Sequence, residues 1–189
     1  MTTLPGRAGS VAGYSDHSVT TQLPLRHGGV VVESRIQARG LYLPPPLRLP
    51  PDAPMPLAWA RRFGDRVHVS GHGPQAPDGN PAGPFGRVGI EVSPDEARQA
   101  ARLALLAVLG SLKREIGDLG RIAAWLRLEG FVLTAAGFDR ATTVVTAASE
   151  LLVDLFGPET GRHARTAVGV TATPLNSPVV IAAEVALRA

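Results

Sequence analysis

A chain of 189 residues with 44% hydrophobic and 19% charged residues has the composition of a folded, single-domain protein rather than a disordered one. The lack of cysteine excludes disulfides, thiolate nucleophiles and cysteine-based zinc sites, and it suits a reducing compartment, so we expect a cytoplasmic location. The net charge of +3 is spread along the chain, which argues against a nucleic-acid surface, where basic residues cluster.

The first 29 residues predict a flexible leader, because they mix Gly, Ser, Thr and Pro without the apolar run of a signal peptide or a membrane span. The folded domain is predicted over residues 30–189. It begins with a short apolar strand or turn and a helix over Glu33–Arg39. Proline is then abundant in residues 44–56, which predicts an extended surface connector.

A β-hairpin is predicted next, with strands over residues 57–63 and 66–70 on either side of a Gly64-Asp65 turn. Residues 71–89, rich in glycine and proline, predict a long loop of the kind that carries function.

Two amphipathic helices are predicted. Ser93 is the N-cap of the first, Glu96 completes a capping box, and Gly117 ends the helix. The second covers about 140–156 and ends at Gly157-Pro158. Both carry apolar residues at three- and four-residue spacing, which predicts that one face of each packs on a sheet.

Strands are predicted over residues 122–134, 165–173 and 179–187, and the proline-flanked segment 174–178 is predicted to be non-helical. The order ββαβαββ predicts an α+β fold with both helices on one face of the sheet. Valine and isoleucine in the last two strands predict a sheet that is apolar on both faces, and hence self-association.

Five motifs occur in a fixed order along the chain: Ser70-Gly71-His72-Gly73-Pro74, Gly86-Arg87-Val88-Gly89, Gly117-Asp118-Leu119, Gly130-Phe131-Val132 and the ten residues 161–170. On these motifs the sequence resembles the RidA/YjgF family, in its chorismate-mutase-like branch, over about residues 33–188. The Gly-Arg-His-Ala-Arg stretch at 161–165 is the most specific of them.

The resemblance implies a chorismate-mutase-like fold and a homotrimer whose sheets form a central barrel-like core. It also implies clefts between subunits that bind small carboxylate-bearing molecules. In relatives that deaminate imines, an arginine holds the substrate carboxylate and an acid positions a water. Arg165 matches that arginine, and the planar guanidinium suits a carboxylate. Ser70 and Gly71 of the first motif are further predicted substrate-binding residues.

Several positions depart from the family pattern. Leu57 replaces the cleft tyrosine and Thr146 the asparagine of an Asn-Gly-Ala-Ser pattern, and both stay in the predicted substrate-binding set. Val180 and Ala182 replace two glutamates, so the water-positioning acid is missing. Glu184 is predicted on the same strand face and is a candidate displaced acid; the alternative is a strand-end carboxylate in water or in an ion pair.

Histidines are the other candidate catalytic residues. His163 is predicted to share a strand face with Arg165, and His72 lies in the glycine-rich region, so either could transfer protons. The alternative for His163 is a structural hydrogen bond. His68 is predicted to be packed in its strand, and Ser70 would need a neighbouring base to act as a nucleophile.

Three functions are compatible with these patterns. The first is an enzyme that acts in the intersubunit cleft on a small anionic imine, enamine or amino-carbonyl metabolite, in a biosynthetic tailoring step. The second is a non-catalytic small-molecule-binding trimer. The third, an endoribonuclease, would want a basic and aromatic groove that the sequence does not show. We predict no cofactor, no membrane partner and no metal, because the histidines lack the spacing of metal ligands.

Overall fold

A computed structural model describes residues 29–49 and 55–188. The predicted leader, except for Gly29, and part of the predicted connector lie outside the described residues. The elements are α1 Gly29–Ala38, β1 Ala60–Phe63, β2 Arg66–His72, α2 Pro94–Ile116, β3 Ile122–Leu133, α3 Ala141–Gly161, β4 Ala164–Val170 and β5 Val179–Leu187.

The five strands form one mixed sheet in the order β1-β2-β5-β3-β4. Neighbours are antiparallel except β3 and β4, which are parallel and are connected by α3. A parallel pair needs such a crossover, because a tight turn reverses the chain. The predicted α+β class and the order ββαβαββ are confirmed.

Both long helices cover the same face of the sheet, as predicted. α2 packs on β2 and β5, and α3 packs on β3 and β4. The predicted packing faces of the two helices are buried: Ala97, Ala101, Leu105, Val108, Leu112 and Ile116 in α2, and Val144, Ala148, Leu151 and Leu155 in α3. Along β5 every second residue is buried, and the residues between are half-exposed on the uncovered face.

The uncovered face is less apolar than predicted. Three of the β-branched residues behind that prediction lie in the core under the helices: Val179, Ile181 and Val185. Val168 is 41% exposed and lies on the uncovered face. The ion pairs Arg66–Glu184 and Arg127–Glu129 lie on this face as well. The prediction of two apolar faces was therefore wrong in part, because side chains alternate along a strand and divide between its faces.

The start of α2 follows its predicted capping box. The Ser93 hydroxyl accepts a hydrogen bond from the Glu96 amide at 3.3 Å, and the Glu96 carboxylate accepts one from the Ser93 amide at 2.8 Å. Gly117 ends the helix with a φ of 77°, in the region that glycine adopts without strain.

The end of α3 needs correction. α3 continues to Gly161, and Gly157, with a φ of 80°, interrupts its helical geometry where the sequence predicted an end. Segment 174–178 forms two consecutive hydrogen-bonded turns, in which the amides of Asn176 and Ser177 donate to the carbonyls of Thr173 and Pro174. Leu175 and Asn176 have φ values of 57° and 55°, outside the right-handed helical region, so the segment is non-helical as predicted.

Smaller differences concern element ends. α1 extends back to Gly29, four residues before its predicted start, and β1 begins at Ala60 rather than at residue 57. In the connector, the Pro44 carbonyl accepts a hydrogen bond from Arg114, and Arg48 donates its amide to Gly79, so this part is attached to the domain. None of the helices in residues 29–49 and 55–188 is long and apolar enough to cross a membrane.

Candidate functional site

Arg165 lies on the edge strand β4 and reaches the helix α3. Its register partner on β3 is the buried Leu128, so the side chain lies on the helix-covered face. Its Nη1 donates to the hydroxyls of Thr146 at 3.1 Å and Ser149 at 3.2 Å, which are neighbours because residues three apart share a helix face. Within the described residues, Nε and Nη2 of Arg165 make no hydrogen bond.

His163 joins the same group through Ser149. Its Nδ1 lies 2.7 Å from the Gly161 carbonyl, so this nitrogen carries the proton and donates. In the neutral ring Nε2 is then an acceptor, and it lies 2.9 Å from the Ser149 hydroxyl. The predicted neighbours His163 and Arg165 therefore share one serine.

Ser149 was missed by the sequence reasoning. A signal was present, because Thr146 occupies the first position of the Asn-Gly-Ala-Ser pattern and Ser149 its last. Helical spacing would then have placed the Ser149 hydroxyl beside whatever group Thr146 contacts.

His72 lies at the end of β2, which stands between β1 and β5 in the sheet, and it is almost fully buried, with 3% of its surface exposed. Its Nδ1 lies 2.6 Å from the Ser70 carbonyl and its Nε2 2.8 Å from the Ser111 hydroxyl. Burial lowers the pKa of His72 to about 4, against the raising effect of the Ser70 carbonyl, and the nearby Arg114 lowers it further. The ring is therefore neutral at pH 7, which weighs against the predicted role in proton transfer.

A cavity of about 380 Å³ lies where β2 ends and β5 begins. Its wall includes four of the predicted site residues: Leu57, Ser70, Gly71 and His72. The Ser70 hydroxyl donates to the Ala58 carbonyl at 2.7 Å, and His72 contacts the carbonyl of Ser70 rather than its hydroxyl. This arrangement does not support Ser70 as an activated nucleophile.

Glu184 is separate from both groups. It accepts a hydrogen bond from Arg66 at 2.9 Å on the uncovered face of the sheet, whereas Arg165 lies on the covered face. His68 lies opposite Glu184 in the strand register and is exposed, so the prediction that it is packed in its strand was wrong. The structure thus favours the ion-pair alternative for Glu184 and places it away from Arg165, because the sheet itself lies between them.

The predicted site residues other than Glu184 therefore fall into two separate groups. The register runs from Arg165 through Leu128 and Ala183 to Val69, so β4 and β2 are three strand spacings apart, about 14 Å. No group of three His, Asp or Glu side chains among residues 29–49 and 55–188 could hold a metal ion.

Comparisons with known proteins agree with the motifs. The family model "YjgF/chorismate_mutase-like, putative endoribonuclease" matches residues 67–185. Protein TCP17 of Trypanosoma cruzi is 36% identical over 126 residues, which are 66% of this chain and 77% of TCP17.

Solved structures show the same similarity. The protein Atu1372 of Agrobacterium tumefaciens, described as of unknown function, is 32% identical with a TM-score of 0.76, over 85% of this chain and 96% of Atu1372. A "putative endoribonuclease" from Shewanella oneidensis is 30% identical with a TM-score of 0.73, over 83% and 99% of the two chains. With its motifs, its fold and these relatives in agreement, the chain belongs to the YjgF/chorismate-mutase-like family, the RidA/YjgF family that its sequence resembles.

Proposed function

We propose that this protein binds small carboxylate-bearing metabolites, with Arg165 as the anchor. The proposal rests on the guanidinium group of Arg165, in which only one of the three nitrogens is hydrogen-bonded among the described residues. Nη1 is held by Thr146 and Ser149, whereas Nε and Nη2 have no partner among the described residues, and no described Asp or Glu pairs with Arg165. These two nitrogens can donate parallel hydrogen bonds to one carboxylate.

A protein of the same fold offers a parallel. E. coli TdcF, which is 18% identical to this chain, has been crystallised with bound serine, a small carboxylate. At that identity the likeness extends to the fold alone, so the anchor is argued from Arg165 itself.

We propose further that the complete site forms between copies of the chain in a homotrimer. Arg165 on β4 is separated by β3 from the strands β2 and β5 that line the cavity, and β4 is an edge strand that a neighbouring copy could cover. The uncovered face of the sheet is also partly apolar, and contact with neighbouring copies would remove it from water. Light scattering should show a trimer, and a stable monomer at micromolar concentration would rule this arrangement out.

The reaction that we propose is a slow or modified transformation of an imine, enamine or amino-carbonyl compound. In imine hydrolysis, water adds across the C=N bond, and the carbonyl forms as ammonia leaves. In this proposal the Ser149 hydroxyl, hydrogen-bonded to His163 Nε2, and that imidazole take a proton from the water and return it to the nitrogen. This pair would act in place of the family's acid, whose positions are Val180 and Ala182.

The second candidate is a binding protein without catalysis. It is favoured by the absence of any paired carboxylate beside Arg165 among the described residues, since an anchoring arginine can outlast the acid that positioned water. The family description also includes endoribonucleases. The nearest approach to a basic and aromatic surface in the described chain is Arg61, Arg62 and Phe63 on β1, a strand of only four residues.

The test combines binding and turnover. Calorimetry with serine and pyruvate should show affinity that Arg165→Ala removes and that Arg162→Ala, a matched loss of a nearby exposed arginine, does not. Ammonia release from 2-iminopropanoate should be weak or absent compared with a family member that retains its glutamate.

The three functions give different results in these assays. Weak turnover that His163→Gln and Ser149→Ala abolish would support the enzyme, and binding without turnover would support the binding protein. Turnover at the level of an active relative would contradict the loss of the acid. RNA cleavage by the purified protein, with no binding of carboxylates, would favour the endoribonuclease.

A further inference from the structure

The cavity between β2 and β5 has a wall of unusual composition. Seven large apolar side chains line it, among them Leu47, Met55, Leu57, Trp59, Phe85 and Leu175. Among the residues that the structure describes, its lining contains no Asp, Glu, Lys or Arg. The volume of about 380 Å³ lies in the lower part of the range of small-molecule pockets, roughly 300–1,000 Å³.

Most of the polar side-chain atoms in this wall are already hydrogen-bonded inside the protein. The Ser70 hydroxyl donates to the Ala58 carbonyl, and the Ser177 hydroxyl donates to the Val179 carbonyl at 3.2 Å. Both ring nitrogens of His72 have partners, and Gln75 donates its amide to Gly79 at 3.4 Å. A charged or strongly polar ligand group would lose its hydration here and regain little of it.

The mouth of the cavity keeps apolar groups in contact with solvent. Four of the seven large hydrophobic residues that are exposed in the described chain line it: Met55, Leu57, Phe85 and Leu175. Leu175 is 59% exposed and has a φ of 57°, a left-handed conformation that is costly for a leucine. Clustered exposed apolar surface of this kind marks a place where a ligand or partner is bound.

We infer that this cavity holds the uncharged apolar body, aromatic or branched aliphatic, of the carboxylate that Arg165 of a neighbouring copy anchors. The inference rests on the proposed function and narrows its substrate class. Val180 also lines the cavity, where the family resemblance has a glutamate, and Leu57 lies where it has a tyrosine. Both changes make the wall more apolar. The ligand that we infer therefore keeps its carboxylate, and the rest of the molecule is apolar instead of small and polar.

The experiment compares probes that share a carboxylate and differ in their body. Calorimetry on the full chain would measure acetate, succinate and 3-phenylpropanoate, together with 3-phenylpropanol, which lacks the carboxylate. We expect 3-phenylpropanoate to bind at least about tenfold more tightly than acetate, because its ring leaves water, and succinate to gain nothing over acetate. Equal affinity for all three acids would overturn the inference.

A fluorescence readout makes the location specific. Trp59 lines the cavity, and Trp125 is the second tryptophan of the chain. In a Trp125→Phe background, binding of 3-phenylpropanoate should change the emission of Trp59. Calorimetry on the native chain gives the same comparison if that background is unstable.

Two variants and a control test the wall. Leu175→Ser and Val180→Asp should each weaken 3-phenylpropanoate by about fivefold or more while leaving acetate unchanged. Phe63→Ser removes an apolar side chain that is 81% exposed and lies outside the cavity, and it should change nothing. Leu175 is a surface residue, so its variant remains informative if Val180→Asp does not fold.

The outcomes separate this inference from the proposed function. If 3-phenylpropanol binds as tightly as the acid and Arg165→Ala has no effect, the cavity is supported and the carboxylate anchor is wrong. If every acid binds alike and only Arg165→Ala weakens them, the anchor is supported and the apolar body is wrong. If no probe binds and Trp59 is shielded in the assembled protein, a second copy fills the cavity, which overturns the inference.

Discussion

His72, at the end of β2, and His163, just before β4, make the same hydrogen bonds at two separate places in the fold. In each ring Nδ1 faces the backbone carbonyl of the residue two positions earlier, and Nε2 faces a serine hydroxyl on a helix. In each case that serine oxygen also accepts a hydrogen bond from an arginine. We call these two groups the His72 chain and the His163 chain.

The His72 chain and the His163 chain differ in burial and in how many nitrogens of the arginine are hydrogen-bonded. In the His72 chain the serine is Ser111, and Arg114 uses a second nitrogen to bind the Pro44 carbonyl at 2.8 Å. The hydrogen bonds of the His72 chain connect β2, α2 and the connector. In the His163 chain Arg165 keeps Nε and Nη2 without a hydrogen bond among the described residues, and its serine, Ser149, is only half-buried. The same bonding pattern thus links elements of the fold in one place and, in the other, leaves two nitrogens of the proposed anchor without a partner among the described residues.

The largest expected effect is on ligand affinity, which should fall when Arg165 is replaced and stay the same when Arg114 is replaced. Arg165→Ala should weaken a bound carboxylate by about 2–5 kcal/mol, roughly thirty-fold or more, because a desolvated carboxylate loses its charged partner. Arg165→Lys should recover part of this, since an ammonium cannot reproduce the planar fork.

The control for this prediction is Arg114→Ala, measured by calorimetry with gel filtration to check assembly. It should lower stability and leave the affinity unchanged. An unchanged affinity in an intact Arg165→Ala assembly would remove Arg165 from the site.

The pH dependence of stability should come from the His72 chain. The pKa of His72 is about 4 in the folded protein and near its ordinary 6.5 in the unfolded chain. Between pH 6.5 and pH 4 the unfolded chain binds a proton that the folded protein does not. The free energy of unfolding is therefore highest above about pH 6.5, falls as the pH drops toward 4 and then levels off. The loss amounts to about 3 kcal/mol at most.

Urea unfolding at pH 7.5 and at pH 4.5 measures this loss. His72→Gln should reduce the decline, because glutamine keeps an amide and does not titrate. His163→Gln should keep the decline, because His72 is still present. An equal decline in wild type and His72→Gln would show that other groups cause it.

The two serines should differ in their effect on stability. Ser111→Ala should lower the free energy of unfolding by about 1–3 kcal/mol, because Ser111 is buried and its loss leaves His72 and Arg114 each short of a hydrogen-bond partner. Ser149→Ala should cost less than about 1 kcal/mol, since water can replace the half-buried hydroxyl. Thermal or urea unfolding gives both values, and the opposite ranking would contradict the comparison.

The smallest expected effect concerns Glu184, which belongs to neither the His72 chain nor the His163 chain. Glu184→Gln removes an ion pair with the exposed Arg66 and should change stability by about 0–1 kcal/mol. Carboxylate affinity and any turnover should stay the same, because Glu184 lies on the far face of the sheet from Arg165. A loss of turnover in a stable Glu184→Gln protein would restore it as a displaced acid.

The sequence by itself determined the parts of this protein that depend on a few neighbouring residues. The capping box of Ser93 and Glu96, the end of α2 at Gly117 and the order of helices and strands follow from local hydrogen bonds and periodicity. The proximity of His163 and Arg165 follows from their spacing of two residues, although β4 begins at Ala164 and His163 precedes the strand on which it was predicted. The family motifs are likewise short and read directly from the chain.

Only the tertiary structure decided which of these residues act together. Ser111 is 39 positions from His72, and nothing near His72 in the sequence indicates that a helix would bury its ring. Strand alternation placed Glu184 with Val180, but the sheet order put that face on the far side from Arg165. Burial, charge and the use of each nitrogen depend on which distant elements pack together, and a local pattern does not contain that information.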